Sequence, residues 1–504
     1  GDGIGDLAGI IERADYLPWL GVDAVWISPF YPSPMADFGY DVSDFTGVDP
    51  MFGTLADFDR LVEALHARGI RVILDFVPNH SSDQHPWFVA SRRSRDDPKR
   101  DWYVWRDPAP DGGPPNNWVS MAGGGAWQYD DATGQYYLHS FLKEQPDLNW
   151  RNPAVREAMH DVLRFWLERG VDGFRVDVLW YLAKDPEFRD EPLNPDYREG
   201  VDPPFKRLLM QNSCDHPDMI GLAAEMRRVI DSYPGERLFI GEIGLPMQRV
   251  VAYYGPQLDA CHLPFNFALI WATWKPEAVA RLIADYEAAL PPCAWPNWVL
   301  GNHDQPRVAS RVGPAQARVA MMLLLTLRGT PTLYNGDELG LESVAIPPDK
   351  VQDPFSSVPG QGRDPYRTPM PWTTGPNAGF TTAEPWLPLG ADHPARSVAA
   401  QREDPASMLS LTRALLRLRR QEPALQLGDW RLLAADEAVL AYERRWEGRR
   451  CTVLLNLTAE PRTVSLGPEA GGTVAVSTRP DRAGENAAGS VALRGDEGLV
   501  ITSS

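Results

Sequence analysis

Continuous apolar runs of strand length alternate with amphipathic stretches along the first two thirds of this chain. The runs are residues 21–30, 71–77, 173–178, 238–243, 297–304 and 330–336, with a weaker one at 261–269. Apolar residues recur at helical spacing in residues 55–69, 153–170, 217–233, 276–290 and 316–328, and we expect another helix near residues 8–20. Apolar strands that alternate with helices predict an α/β protein built on a TIM (β/α)8 barrel.

The pattern contains seven strands where a TIM barrel has eight. The chain opens in a predicted loop that leads into the helix near residues 8–20, so the absent strand is the first. A barrel without one strand has two unpaired edges, which favour association with other chains. We therefore expect that this sequence is truncated at its amino terminus.

Two segments depart from the alternation of strands and helices. Residues 80–151 are rich in Gly, Pro, Trp and Asp and contain only short strand candidates, such as residues 134–141, which predicts a small domain inserted after strand 3 of the full barrel. From about residue 429 onward, short alternating runs separated by turn residues are typical of an antiparallel β-sandwich. The predicted domains are a barrel of residues 1–79 and 152–425, an inserted domain of residues 80–151 and a C-terminal β-sandwich of residues 426–504.

The composition limits which kinds of partner and which cellular compartment are compatible with this chain. Asp and Glu number 68 against 49 Lys and Arg, a formal net charge of -19, which argues against nucleic acid and anionic membranes as partners. Some of the 18 Trp and 16 Tyr residues are candidates for stacking on a neutral sugar, although most belong to the predicted core. The four cysteines are scattered, and the chain has neither a long apolar run nor a basic-then-apolar leader. We predict a cytoplasmic protein with free thiols and no membrane span.

Four carboxylates stand at or near the ends of predicted strands. They are Asp75, Asp177, Glu242 and Asp304. One such residue alone would be explained equally well as a helix N-cap or as an ion-pair partner. Four of them at the same end of a parallel barrel indicate chemistry, because the active sites of these barrels lie at the carboxyl ends of the strands.

Cleavage of a glycosidic bond suits such a set of carboxylates. It requires one carboxylate that stays ionised and a second carboxyl group that keeps its proton until the leaving oxygen needs it. Asp177 and Glu242 can divide these roles. Arg175 lies two residues before Asp177 and therefore on the same face of the strand, where it can keep that carboxylate charged and oriented. The alternative for Arg175 is a buried ion pair without a catalytic duty.

Four segments together resemble the signature segments of the alpha-amylase superfamily of glycoside hydrolases. They are DFVPNH (75–80), GFRVDV (173–178), FIGEI (239–243) and GNHD (301–304), in that order. The resemblance implies that Asp177 is the nucleophile, Glu242 the general acid/base and Asp304 the carboxylate that holds the sugar hydroxyls next to the reaction centre. It also implies that Asp75 is structural, and that His80 and His303 bind the innermost glucose; for both histidines, a place in the core is the alternative.

Three further segments resemble the oligo-1,6-glucosidase and alpha-glucosidase branch of that superfamily. They are QPDLNW (145–150), FGYDV (38–42) and GRDPYRTPMPW (362–372). In that branch an Asp and an Arg pair across the non-reducing end of the substrate and close the pocket. The resemblance implies Asp37 as the acid and Tyr40 as a stacking platform. Arg363 and Arg367 are both candidates for the base.

The preferred linkage is left open by the sequence. The residue after the nucleophile tends to be Val in relatives that favour alpha-1,6 bonds and Ala or Thr in those that favour alpha-1,4 bonds, so Val178 favours alpha-1,6. Residues 179–185 and 347–355 instead look more like bacterial alpha-glucosidases that act on several short substrates.

The amino terminus matches only the tail of the family's metal loop. Related chains carry an Asp-x-Asn-x-Asp-Gly loop that holds one Ca²⁺ or Mg²⁺, and this chain begins with GDGIGD (1–6). Asp2, Asp6 and the carbonyl of Ile4 are the remaining candidate ligands, and a solvated loop is the equal alternative for the two carboxylates.

The leading hypothesis is a retaining, exo-acting alpha-glucosidase of short oligosaccharides that needs no cofactor for its chemistry. The first alternative is a glucosyl transferase or isomerase of the same branch, of the sucrose or trehalose type. A non-catalytic scaffold relative is the second, and it is disfavoured because Asp177, Glu242 and Asp304 are all present. The expected partner is a small oligosaccharide, and the oligomeric state is not predicted.

Overall fold

The computed structural model describes residues 1–357, 362–467 and 471–503. Residues 358–361 of the predicted barrel and residues 468–470 and 504 of the predicted C-terminal domain lie outside the described residues. The strands of the described part are β1 (Ala24–Ile27), β2 (Arg71–Phe76), β3 (Trp105–Arg106), β4 (Trp127–Asp130), β5 (Gln135–Leu138), β6 (Gly173–Val176), β7 (Leu238–Glu242), β8 (Leu263–Phe265), β9 (Asn297–Val299), β10 (Thr330–Thr332), β11 (Asp429–Ala435), β12 (Val439–Trp446), β13 (Arg449–Asn456), β14 (Arg462–Ser465), β15 (Gly472–Ser477), β16 (Asn486–Ala487), β17 (Ser490–Leu493) and β18 (Gly498–Ser503).

Helices separate the barrel strands and cover them. The α-helices are α1 (Leu7–Arg13), α2 (Tyr16–Leu20), α3 (Leu55–His66), α4 (Pro86–Ser91), α5 (Pro153–Glu168), α6 (Met219–Asp231), α7 (Met247–Val250), α8 (Ala268–Trp271), α9 (Pro276–Ala289), α10 (Val308–Val312), α11 (Pro314–Thr326), α12 (His393–Arg396), α13 (Val398–Arg402), α14 (Met408–Gln421) and α15 (Pro423–Gln426). Their ends follow the sequence: Thr54 and Asp57 form a capping box at α3, and Asn152 caps α5 ahead of Pro153.

The barrel strands are parallel, and the fold is a TIM barrel. β1, β2, β6, β7 and β8 form one ladder in that order, and β9 pairs with β10 in a second. All four residues of β6 are buried, as expected of a strand that is covered on both faces. The helices α1 and α2 precede β1 in the described residues.

The helix expected near residues 8–20 is two short helices, α1 and α2. Pro18 has no backbone N–H to donate to the carbonyl of Ala14, and its ring would clash with that carbonyl in a continuous helix. The hydrogen-bond pattern therefore changes between the two helices, where the N–H of Leu17 donates to the carbonyl of Ala14 at 3.3 Å. The expectation of one helix was wrong at this point because it weighed apolar spacing above the proline.

The two segments that depart from the alternation form antiparallel sheets. β3, β5 and β4 make a three-stranded sheet in the stretch predicted as an insertion. β11, β12, β13, β18, β15 and β16 make a six-stranded sheet, and β14 and β17 make a second sheet that packs on one of its faces through Val491 and Leu493. The other face of the large sheet packs against α9, α11 and α14 of the barrel. The C-terminal unit is therefore held to the barrel by an apolar interface.

Candidate active site

The predicted carboxylates lie at the carboxyl ends of neighbouring strands. Glu242 is the last residue of β7, Asp177 follows β6 directly, and Asp75 is the penultimate residue of β2. Asp304 lies in the loop that follows β9. Because parallel strands end at the same rim of the barrel, these side chains converge on one mouth.

Arg175 joins three of these carboxylates. Its Nη1 lies 2.7 Å from Oδ1 of Asp177 and 2.9 Å from Oδ1 of Asp75, and its Nη2 lies 2.7 Å from Oε2 of Glu242. The sheet register explains the contact with Asp75, because Arg175 on β6 pairs with Asp75 on β2. The guanidinium group also lies over the ring of Trp26, 4.7 Å from its centroid. One buried cation thus orients the two carboxylates that were predicted to do the chemistry.

The charge balance of this group favours a retained proton. Burial raises the pKa of Asp177; Arg175 opposes that shift, and Glu242 and Asp75 add to it. Burial likewise raises the pKa of Asp75 to about 6, with Arg175 again opposing it. Asp75 and Asp177 are buried and Glu242 is partly buried, and three carboxylates around one guanidinium repel each other, which favours protonation within the group.

Asp304 has the opposite electrostatic environment. Burial disfavours its ionised form, but the neighbouring His303, Arg367 and Arg363 together outweigh burial and lower its pKa, so it stays ionised at neutral pH. Arg367 Nη2 lies 2.6 Å from Oδ1 of Asp304, and Arg363 Nη1 lies 3.4 Å from the same oxygen. The structure therefore presents Asp304 as a fixed negative charge at the mouth.

His80 is buried and His303 partly buried beside the carboxylates, and both are neutral. Burial lowers the pKa of His80 to about 4 and that of His303 to about 3. His80 Nε2 lies 3.2 Å from the carbonyl oxygen of Tyr40, and His303 Nε2 lies 2.9 Å from the hydroxyl of Tyr40. The Tyr40 ring stacks on His303 with an interplanar angle of 8°. A neutral imidazole offers one donor and one acceptor, which suits a sugar hydroxyl.

Arg363 and Arg367, which the sequence left as alternatives, have different partners. Arg363 Nη2 lies 2.5 Å from Oδ1 of Asp37 and 2.7 Å from Oδ1 of Asp353, while Arg367 donates to Asp304 and to the carbonyl oxygen of His303. The pair that joins the two predicted pocket-closing loops is therefore Asp37 with Arg363. Arg367 instead holds the segment that carries Asp304.

A family model of the alpha-amylase catalytic domain matches residues 1–428. This chain belongs to the alpha-amylase family. It is 42% identical over 485 residues to a probable alpha-glucosidase of Rhizobium meliloti (strain 1021), which covers 92% of this chain and 87% of the relative. It is 37% identical over 502 residues to an oligo-1,6-glucosidase of Heyndrickxia coagulans, with 91% of this chain and 89% of the relative covered. The crystal structure of an alpha-glucosyl transfer enzyme, XgtA, superposes with a TM-score of 0.93 at 40% identity and covers 100% of this chain and 96% of that chain.

Three residues of this alpha-amylase family site were missed by the sequence analysis or given no role by it. Asp353 is fully buried and accepts hydrogen bonds from Nε, Nη2 and the backbone N–H of Arg363. Gln145 Nε2 lies 3.2 Å from Oδ2 of Asp37 and 3.1 Å from Nε2 of His80, and Trp26 Nε1 donates to Asp75. Asp353 and Gln145 both lie in segments that the sequence singled out as branch-specific, but their spacing carries no signal of these contacts.

The predicted metal ligands Asp2, Ile4 and Asp6 lie in the loop before α1. The Asp6 side chain caps α1 by accepting from the N–H of Gly9 at 2.6 Å, and the Asp2 side chain accepts from the N–H of Ile4 at 3.1 Å. Within residues 1–357, 362–467 and 471–503 no group of three His, Cys, Asp or Glu side chains is arranged to hold a metal ion. These residues do not by themselves complete a cation site, and a Ca²⁺ or Mg²⁺ ion held by Asp2, Ile4 and Asp6 stays a prediction.

Val178, directly after the predicted nucleophile, has a left-handed backbone conformation. Its φ of 35° and ψ of 44° are rare for a β-branched residue and store strain. In this conformation the N–H of Val178 donates to Oε2 of Glu242 at 2.9 Å. The same oxygen lies 2.7 Å from Nη2 of Arg175, within ion-pair distance. The strained turn therefore helps to hold the carboxyl group of Glu242 in place.

We expect Val178→Gly to lower kcat/KM for maltose by about 3- to 10-fold, because a glycine at this position no longer confines the N–H that orients Glu242. The loss should be smaller for p-nitrophenyl alpha-glucoside, whose leaving group needs little protonation. Val178→Ala keeps a Cβ and serves as the control, with a smaller loss on maltose. Equal losses on both substrates would contradict an orienting role.

Proposed function

We propose that this chain is a retaining, exo-acting alpha-glucosidase that removes terminal non-reducing glucose from short oligosaccharides through a covalent glucosyl-enzyme. The observation that carries the proposal is the placement of Asp177 and Glu242 on the two arms of one buried guanidinium. In a retaining glycosidase the two carboxyl groups are about 5–5.5 Å apart, whereas inversion needs about 6.5–9.5 Å to admit a water. Two carboxylates on a single Arg175 favour the shorter spacing.

In the proposed reaction Asp177 attacks the anomeric carbon while Glu242 gives its proton to the leaving oxygen. The bond from the anomeric carbon to that oxygen breaks, and an ester between glucose and Asp177 forms. Glu242, now ionised, takes a proton from a water whose oxygen attacks the same carbon, which releases glucose and regenerates both carboxyl groups. Asp304 supplies fixed negative charge as positive charge develops on the sugar ring.

Exo action is supported by the Asp37–Arg363 pair. Asp37 lies in the loop after β1 and Arg363 in the long loop after β10, so their ion pair joins two loops across the mouth. Arg363 is anchored further by Asp353, and its guanidinium lies over the ring of Phe355, 4.3 Å from the centroid. A pocket closed at this side admits a chain end and excludes a continuing chain.

The named relatives support the substrate class. The relatives described as a probable alpha-glucosidase and an oligo-1,6-glucosidase match across at least nine tenths of this chain, and the proposal takes its substrate, alpha-linked glucose, from them. Transfer of the glucosyl group to a second sugar, in place of water, is the alternative within the same branch. It is favoured by one observation, the similarity to a solved alpha-glucosyl transfer enzyme.

The proposed enzyme uses no cofactor in its chemistry, because the carboxylates themselves supply the nucleophile and the proton.

The four cysteines are free, which supports the proposed cytoplasmic location, since that compartment keeps thiols reduced. No helix within residues 1–357, 362–467 and 471–503 is both long and apolar enough to cross a bilayer. The scaffold alternative is disfavoured by the assembled group of Arg175 with its carboxylates.

Reducing-end-labelled maltotetraose and isomaltotriose test the proposal. We expect the protein to release single glucose units and labelled products that shorten by one sugar at a time. A panel of maltose, isomaltose, trehalose and sucrose should reveal the preferred linkage.

Arg363→Ala should reduce kcat/KM for both oligosaccharides at least about 10-fold, because it removes a buried, charge-assisted contact. The exposed Arg462→Ala is the control and should leave the rate unchanged. Internal cleavage by the wild-type protein would contradict exo action.

A further inference from the structure

Trp271 is the most exposed large aromatic side chain in the described part of the chain. It is the last residue of α8, in the segment that follows β8, and 58% of its surface is accessible. Tryptophan is on average well buried, because its ring carries a large apolar area. An indole held open at the catalytic end of a barrel therefore requires an explanation.

A row of ring contacts connects Trp271 with the active site. Trp271 stacks on Phe267 at 5.5 Å and 25°, and Phe267 packs against Phe265 at 5.1 Å. Phe265 contacts Trp26 at 6.1 Å, and Trp26 contacts His303 at 5.6 Å. The row starts at the histidine beside Asp304 and ends at the exposed indole.

The position of this row of rings relative to Glu242 indicates on which side of the scissile bond the row can contact the substrate. β8 is the neighbour of β7, and Phe265 of β8 pairs in register with Glu242. The loop that carries Trp271 therefore begins beside the group that protonates the leaving oxygen. The Asp37–Arg363 pair closes the non-reducing side through loops after other strands, β1 and β10.

Asn266 adds an unpaired donor at the start of the same loop. The residue is 3% exposed, its Oδ1 accepts from the N–H of Ala268 at 3.0 Å, and its Nδ2 has no hydrogen-bond partner among the described residues. A buried amide donor normally has a partner, because an unsatisfied one is destabilising. A hydroxyl of a bound sugar on the Glu242 side would satisfy it.

We propose that Trp271 is a stacking platform for the sugar units on the leaving-group side of the scissile bond, with Asn266 as a hydrogen-bond donor beside it. The inference rests on the proposed glucosidase function and extends it to the part of the substrate beyond the cleaved glucose. The occupant is a neutral pyranose whose C–H face lies on the indole ring. Trp271 is a specificity residue, because it acts on substrates that carry such a sugar and not on the glucose that is transferred.

Alpha-glucosyl fluoride, maltose and maltotriose separate this role from a structural one. The fluoride has no leaving-group sugar, so Trp271→Ala should change its kcat/KM by less than about 2-fold. The same variant should lower kcat/KM for maltotriose by about 3- to 10-fold, the range expected for one lost aromatic contact. Trp271→Phe should restore most of the loss. The fraction of glucosyl groups transferred to added maltose should fall with Trp271→Ala.

Trp446→Ala is the matched control, because Trp446 is 36% exposed on β12 of the C-terminal sheet, and it should leave all three substrates unchanged. The inference is overturned if Trp271→Ala reduces turnover of the fluoride and of maltotriose equally, or changes neither. A wild-type protein that hydrolyses none of the three would instead overturn the proposed function, and the inference with it.

Discussion

Asp177→Asn is expected to lower kcat/KM for maltose and isomaltose by at least about 10⁴-fold, because an amide cannot form the ester to glucose. The side chain keeps its size and its contact with Arg175, so the fold should be preserved. Asp172→Asn is the matched control. Asp172 precedes the same strand, β6, at its opposite end, where its Oδ2 accepts from the N–H of Val72 at 2.8 Å. Turnover by this control should stay within a few-fold of the wild type.

The anomer of the first product tests the same nucleophile independently. Two displacements at one carbon restore the original configuration, so polarimetry or NMR of a fresh digest should detect alpha-glucose before mutarotation. Beta-glucose as the first product, or normal turnover by Asp177→Asn, would rule out the covalent mechanism. A crystal structure adds a third measure, with about 5–5.5 Å expected between the carboxyl groups of Asp177 and Glu242.

Arg175→Met is expected to abolish detectable turnover and to lower the free energy of unfolding by about 3–5 kcal/mol. The arginine is 1% exposed, and its removal leaves Asp75, Asp177 and Glu242 without their shared cation. Methionine has a similar length, so the loss reports charge more than packing. Urea unfolding measures it, with Arg198→Met on the surface as the control, where the midpoint should not move.

The stability loss in Arg175→Met should depend on pH. In the wild-type protein burial raises the pKa of Asp75 to about 6 and also raises that of Asp177, while Arg175 opposes both shifts. A carboxyl with a raised pKa in the folded state destabilises the fold as pH rises through that pKa, because the unfolded chain ionises more easily. Without Arg175 both pKa values rise further. The deficit should therefore be larger at pH 8 than at pH 5, and an equal deficit at the two pH values would contradict the electrostatic explanation.

The periodicity of the sequence was sufficient to predict the barrel. Runs such as residues 173–178 are largely apolar because both faces of a parallel strand are covered. Each position of such a strand meets this requirement by itself, so the run is visible in the sequence. The same argument failed at Pro18, where a local backbone constraint interrupts an otherwise helical pattern. It also overestimated strand lengths, since the strand expected over residues 261–269 is only Leu263–Phe265.

Some residues of the candidate site could likewise be predicted from the sequence, and others could not. Asp177, Glu242 and Asp304 were identifiable because each lies at or just past a strand end, a position that the sequence shows. The partner of Asp37 could not be identified from the sequence, because the two candidates, Arg363 and Arg367, lie four residues apart in one loop. They differ only in the direction in which the fold points their side chains. The contacts of Asp353 and the unpaired amide of Asn266 leave no pattern in the sequence.

The sequence by itself determined which segments become barrel strands, which carboxylates stand at their ends and to which family the chain is similar. These properties depend on residues close together in the chain, where a period of two or 3.6 and a strand end leave a visible pattern. Only the tertiary structure decided that Arg175 joins Asp75 and Glu242, that Arg363 pairs with Asp37 and that Trp271 lies at the end of a row of rings. The contacts of Arg175 with Asp75 and of Arg363 with Asp37 join residues 100 and 326 positions apart, so no local pattern records them.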